Sequence, residues 1–428
     1  LTVLAAHLRN DSPCFLVGDA PGCALNGRSQ GPPWVSLPPP IPVCCHEPMK
    51  KPSHLVCAAL HLMFWAGTAA AALPQDLPPG LDADVVERLP ERVSAAPATP
   101  QAAAAIARRW ISLSRETADP RYLGRAQAAL ARWWGQADAP ADLLVLQATV
   151  EQGRHEFAAA RATLERALQA NPAQVQGWLT LATLERVAAR YEAAEAACRN
   201  VARYGATLYA TACLLETRSL QGQHDAARSG LTALWQQAAG DATQRAWIGS
   251  LLAESEERAG RDDAADAAYR RSLADAPDGY TALAYADQLL RRNRASAALE
   301  VLRPQPDSDA VLLRRAQALR LMGDAAWQPL ARDLEARFAA IAARGEGLDA
   351  HARERALVAL WLHGQPAAAW KAARTNLALQ KEPLDWWLAL QTSEQSGDAA
   401  AHQAVRQALL QTGLQDVRLA RWQPRGGQ

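Results

Sequence analysis

No catalytic signature can be assembled from this sequence. Beyond residue 72 it has no HExxH, no GxSxG, no phosphate-cradling Gly-Lys-Ser/Thr loop and no CxxC, so the commonest metal, acyl-transfer, nucleotide and dithiol sites have no starting point there. The histidines beyond residue 72 (His155, His224, His351, His363 and His402) are scattered, with His155 and His224 in expected loops. They imply no metal site and no cofactor. Charge of one sign is also lacking. The formal net charge is +1, and beyond residue 72 there are 41 basic and 41 acidic residues, which argues against electrostatic binding of nucleic acid. Lysine is nearly absent there, with only Lys371 and Lys381. No apolar run beyond residue 72 approaches the ~18 residues of a membrane span, and no alternating pattern reads as a strand.

What is present changes sharply along the chain. Residues 1–48 begin at Leu1, carry Cys14, Cys23, Cys44 and Cys45 and the run Pro38-Pro39-Pro40, and show no helical periodicity. They read as an untranslated or disordered leader. At Met49 a secretory signal begins: Lys50 and Lys51 form its positive end, Leu55 to Trp65 its apolar stretch, and Ala69 to Ala72 the small residues that a signal peptidase needs. Cleavage after Ala72 would leave a soluble protein in a periplasm or outside the cell. The Ala- and Arg-rich usage fits a bacterial source. Residues 73–100 are proline-rich and read as a linker or cap.

From residue 101 to 412 the pattern is helical. Ala, Leu, Arg, Glu and Gln dominate, and apolar residues recur at i, i+3, i+4 and i+7. The helices fall into pairs with a period near 34 residues. One unit spans Ala141 to Gln174 and has Phe157, Ala160, Leu164 and Ala167 in its second helix before Asn171-Pro172. The next carries Trp178, Leu181 and Ala182, then Tyr191, Ala194, Cys198 and Val201. Ala227 and Leu231, Ala265 and Tyr269, and Ala298 and Leu302 continue the series. More degenerate pairs are expected at 101–135, 309–345, 351–382 and 384–412, with residues 413–428 as a C-terminal tail.

These residues resemble the tetratricopeptide repeat, a helix–turn–helix with small residues where the two backbones approach, a large residue beside them and a closing proline. The pattern departs from the family where Ala148 and Ala182 replace the commonest glycine, and only the units ending at Pro172 and Pro277 close with proline. The resemblance implies an all-α, right-handed superhelical solenoid of about nine antiparallel helix pairs, whose first helices line a concave groove. In the family such grooves hold segments of other proteins. The Lys and Asn of the family's carboxylate clamp are missing, because Leu179, Thr183, Glu216 and Glu254 stand at the matching places.

The unit boundaries place Arg186, Tyr209, Glu216, Trp247, Glu254, Glu257, Tyr280 and Asp287 in the groove, together with Leu179 and Thr183. Tyr209, Trp247 and Tyr280 recur at corresponding positions and form an aromatic row. Glu216, Glu254 and Asp287 form an acidic row beside it. The two rows suit a basic segment with apolar side chains; packing between units under a solvated acidic face is the competing reading. Cys198 and Cys213 lie equally far from the turn near Gly205-Ala206. In an oxidising compartment they suggest a disulfide, and in any compartment two small core residues. Three functions remain: a non-catalytic scaffold in the cell envelope binding a protein or peptide, an accessory of envelope or polysaccharide assembly contacting glycan, and an enzyme with a site near Trp361, Trp370, Trp386 and Trp387.

Overall fold

Thr99 starts the helical array. Its hydroxyl accepts from the Ala102 backbone N–H, and Pro100 occupies the first helical position, where a missing N–H costs nothing. The computed structural model describes residues 97–345 and 347–423, all within one compact unit. The expected leader (1–48), signal (49–72) and nearly all of the linker (73–96) lie outside the described residues.

Eight helices follow as four pairs: α1 (Pro100–Thr117) with α2 (Arg121–Leu130), α3 (Ala141–Gly153) with α4 (Phe157–Ala170), α5 (Val175–Val187) with α6 (Tyr191–Arg203), and α7 (Thr207–Leu220) with α8 (His224–Gln237). The series continues through α9 (Ala242–Arg258) with α10 (Asp262–Asp275), α11 (Gly279–Arg291) with α12 (Ala295–Leu302), and α13 (Asp309–Leu321) with α14 (Trp327–Ala343). Next, α15 (Ala352–Leu357) is prolonged by a π-helical turn, Val358–Leu362, and packs on α16 (Pro366–Leu379); α17 (Pro383–Gln395) packs on α18 (Ala399–Thr412). No strand occurs among the described residues. The all-α array of neighbouring helix pairs is therefore the architecture of the chain.

One backbone device repeats at the turn inside every pair. A residue of positive φ stands there: Ala118, His155, Ala189, Gly222, Gly260, Asn293, Gly323, Gly364 and Gly397 in chain order. The residue after it commonly donates its N–H to a carbonyl five positions back, as in Arg190 to Glu185, Gln223 to Arg218, Arg261 to Glu256 and Arg294 to Leu289. This closes the first helix in the six-to-one manner that satisfies its last carbonyls. At Gln365 the bond reaches six back, to Ala359, because the π-turn has inserted one residue.

Small residues set the distance between paired helices. Ala160, Ala194, Ala227, Ala265 and Ala298 have no exposed surface, and the residues four positions on (Leu164, Cys198, Leu231, Tyr269 and Leu302) are equally buried. The alanines permit close approach, and the larger side chains fill what remains.

Of the expected C-terminal tail (413–428), residues 424–428 lie outside the described residues, and the described part packs back onto the array. Leu414, Leu419 and Trp422 are buried with Tyr191 of α6 and Leu220 of α7 in the same core as α13–α18. Two main-chain bonds return the C-terminal part to the middle of the array: Lys381 N–H donates to the Val187 carbonyl at 2.7 Å, and Gln415 N–H to the Leu220 carbonyl at 2.8 Å. Residues 414–422, including a 3-10 segment at Val417–Trp422, thus form a strap across the α7–α8 and α9–α10 turns. Glycine permits this approach. A Cβ on Gly222 (φ +89°) would come within 3.1 Å of the Gln415 side chain, and one on Gly260 (φ +74°) within 3.3 Å of Val417.

Candidate functional site

The strap and the C-terminal pairs partly enclose the inner face of the array in a cavity of about 590 Å³. Helices α5, α7, α9, α11 and α13 give one wall, and α15, the π-turn, α17 and the strap give the other. Apolar side chains such as Leu283, Leu321, Trp361 and Trp387 alternate there with charged groups.

Most of the charged groups are paired. Arg314 forks onto Asp287 through two bonds of 2.9 Å. Glu257 accepts from Arg291, from Arg418 at 2.5 Å and from the Tyr269 hydroxyl at 2.8 Å. Arg353 reaches Asp385 at 2.7 Å and Glu382 at 2.6 Å. Asp416, itself buried, holds Arg418 toward Glu257. Such bidentate, partly buried pairs fix side chains in one geometry.

One patch of the wall is different. Arg186 is buried and bonded to Thr183 and Thr217 at 3.2 and 3.4 Å, with its Nη2 3.0 Å from Glu216 Oε2. That oxygen nevertheless has no hydrogen bond of proper geometry. Glu254 reaches Arg258 only at 3.5 Å, and its Oε1 has no hydrogen-bond partner. Arg258 donates to Ser219 at 3.2 Å and leaves Nη2 without a partner. Burial pushes the Glu216 carboxyl up despite Arg186. It pushes Glu254 up to about 7, against the pull of Arg258 and the Tyr280 hydroxyl and with Glu216 adding to the rise. Both directions have one physical origin: desolvation disfavours the charged form more than the nearby arginines favour it. His155, stacked on Phe157 at the α3–α4 turn, also lines the cavity; burial holds its pKa down.

Of the groove residues expected from sequence, Arg186, Glu216, Glu254, Glu257, Tyr280 and Asp287 line the cavity. Tyr209 and Trp247 do not, and the aromatic row must be corrected. Trp247 is 1% exposed, and Tyr209 lies against it with ring centroids 5.4 Å apart. The two rings fill the space between neighbouring first helices, where a large apolar surface gains most from leaving water. Leu179 and Thr183 are likewise buried rather than presented. The acidic row is no free acidic face either, since Asp287 is taken up by Arg314 and Glu257 by Arg291 and Arg418. His155 stands in a cavity wall rather than in an open loop. Cys198 Sγ and Cys213 Sγ are at bonding distance, 1.93 Å, with Cα atoms 5.7 Å apart, and tie α6 to α7. In the tryptophan group, Trp370 and Trp386 belong to the core, whereas Trp361 and Trp387 line the cavity.

Sequence reasoning missed Arg258, Arg291, Arg314, Arg353, Lys381 and Arg418 as cavity residues. Arg258 and Arg291 each stand four residues after an expected groove carboxylate, so helical spacing alone could have found them. Arg353, Lys381 and Arg418 carry no such signal, because closure of the array places them. Among the described residues no group of three or more His, Cys, Asp or Glu side chains could hold a metal ion, and no helix is long and apolar enough to cross a membrane.

No family model matches the chain, and no curated protein is similar to it. Among solved structures, the chain is similar to one described as "Crystal structure of APC/C hetero-tetramer Cut9-Hcn1", with a TM-score of 0.37 and 14% identity over 67% of this chain and 48% of that chain. The chain thus spans about half the length of that neighbour.

Proposed function

We propose that the chain is an interaction scaffold that takes a segment of another protein into the cavity on the inner face of its helix pairs. One observation carries this reading: the cavity is lined by both apolar side chains and polar groups held in fixed pairs, the composition of a recognition site rather than of a packed core. Its charged groups are spent on one another instead of converging on a point where a bond could be broken, which favours holding over catalysis. The aromatic row that could have stacked on a sugar is divided, with Trp247 inside the core and Tyr209 half-buried against it; this favours a polypeptide over a glycan. We place the protein in the cell envelope on the strength of the segment from Met49 to Ala72, and a bonded Cys198–Cys213 pair suits an oxidising compartment.

Leu283→Trp puts a larger side chain into the cavity. Affinity capture from envelope extract, run side by side with the wild-type chain and this variant at equal thermal stability, should lose specific partners with the variant. Identical partner sets would remove the cavity from the function. Fractionation checks the address: a protein found in the cytosol with residues 49–72 still attached would refute it.

A further inference from the structure

The walls of the cavity are not uniform in how fully their polar groups are satisfied, and the exceptions cluster. Arg314, Arg353 and Arg418 each have a forked carboxylate partner. Around Glu216 and Glu254, by contrast, four buried polar atoms lack a hydrogen bond: Arg186 Nε, Glu216 Oε2, Glu254 Oε1 and Arg258 Nη2. The side chains of Arg186, Glu216, Arg258 and Glu254 are 1%, 2%, 4% and 16% exposed, and all four residues line the cavity. A buried carboxylate oxygen without a well-aligned donor is costly. A site built this way gains most from a guest that supplies the missing partners.

Resting on the proposed peptide-binding reading, we infer that the patch formed by Glu216, Glu254 and Arg258 binds the cationic group of a polypeptide, an ammonium or guanidinium flanked by a peptide carbonyl. The cation donates to Glu254 Oε1, which has no hydrogen-bond donor, and to Glu216 Oε2, whose contact with Arg186 at 3.0 Å is poorly aligned for a hydrogen bond. The neighbouring peptide carbonyl accepts from Arg258 Nη2. The methylene stem of a basic side chain lies against apolar wall residues such as Leu283 and Trp387, as long basic side chains do on apolar surfaces. Tyr280, whose hydroxyl faces Glu254, closes one edge. Burial is the main cause of the upward shift of both carboxyls, so their charged forms are under-compensated despite Arg186 and Arg258. An anionic segment would add a third negative group to a place where two are already under-compensated.

The test uses the full chain and four labelled pentapeptides. The first is Leu-Ala-Lys-Ala-Leu, acetylated and amidated. The second and third replace its lysine by norleucine or by glutamate. The fourth replaces it by alanine and keeps a free α-amino group. Titration at pH 8 should show the lysine peptide binding about tenfold more tightly than the norleucine peptide. That advantage should vanish in the Glu216→Gln/Glu254→Gln variant and persist in Glu192→Gln, an exposed α6 position. Tight binding of the fourth peptide would identify a chain end, and weak binding a basic side chain, as the source of the cation. If the double variant does not fold, Glu254→Gln alone serves, and the wild-type advantage should itself shrink from pH 8 to pH 5 as the carboxyls take up protons. Equal binding of lysine and norleucine peptides, with both lost in Leu283→Trp, would overturn the cation and leave the cavity reading intact. Preference for the glutamate peptide would overturn it as well. Absence of binding by every peptide at millimolar concentration, or binding indifferent to Leu283→Trp, would overturn both readings.

Discussion

A carboxylate largely withdrawn from water ionises late, and Glu254, with its side chain 16% exposed, shows this in a form that can be measured. Arg258 and Tyr280 favour its charged form, Glu216 and Glu257 oppose it, and burial outweighs them, which lifts it from the ordinary 4.5 to about 7. Between those two values the folded protein keeps a proton that the unfolded chain has released. The stability this group contributes is therefore complete below about pH 4.5 and lost as pH rises through 7. Glutamine mimics the protonated acid. The stability of Glu254→Gln relative to wild type should rise from pH 5 to pH 8, by up to about 3 kcal/mol. Parallel denaturation midpoints at the two pH values would show that Glu254 titrates normally. Trp247 invites the opposite kind of prediction. It packs on Tyr209 in the core and has no place in the cavity, so Trp247→Leu should lower stability by about 2–4 kcal/mol and leave peptide affinity unchanged. At this scale the sequence was partly legible. Helical register located Glu216, Glu254, Glu257, Asp287, Tyr280 and Arg186 on the inner face. It could not tell that one face of a first helix divides again, with Trp247 turned between helices and Tyr280 turned into the cavity, because that depends on the spacing of the neighbours.

Between helices, two devices hold the middle of the array. The first is the Cys198–Cys213 pair, separated by 15 residues, with Cys213 Sγ 3.6 Å from Arg186 Nη1. A loop of this length should stabilise the chain by about 3 kcal/mol when closed. Cys198→Ser/Cys213→Ser should lose that amount in denaturant unfolding, and differential alkylation with peptide mapping should find both sulfurs protected until reductant is added. Free thiols at both positions in the purified chain would return the pair to the second reading, two small core residues. The second device is the left-handed turn inside each pair. Where glycine occupies it the backbone is unstrained and Asn293 tolerates it; where Ala118, His155 or Ala189 does, each position bears a cost of roughly 1–2 kcal/mol that the packing of the pair must offset. Gly260 does two things, turning the chain and giving room to Val417 of the strap. Gly260→Ala should cost more than the same change at Gly323, where nothing lies within 4 Å, and thermal melting of the two variants compares them directly.

For the molecule as a whole, the decisive event is the return of its C-terminal part to helices α5 to α10. Tyr191 and Leu220 lie in one core with Leu419 and Trp422 although some two hundred residues separate them in sequence. Leu419→Ala/Trp422→Ala should release the strap. Hydrogen exchange should then quicken at the Gln415 amide and at the α7–α8 and α9–α10 turns, while α1–α4, remote from the strap, keep their protection. Unchanged exchange at those turns would mean that the strap holds nothing in place. What the sequence by itself determined is the element: helix-forming composition, apolar residues at helical spacing, alanines at each close approach and a period near 34 together specify antiparallel pairs that must stack. These are local properties, repeated often enough to be read without coordinates. Only the tertiary structure decided that the inner face is a partly enclosed cavity with a second wall, that Arg353, Lys381 and Arg418 belong to it, and that Glu216 and Glu254 are the cavity carboxylates left short of hydrogen bonds. Each depends on contacts between residues far apart in the chain, set by the small rotation accumulated from one pair to the next, and no local pattern in the sequence records that sum.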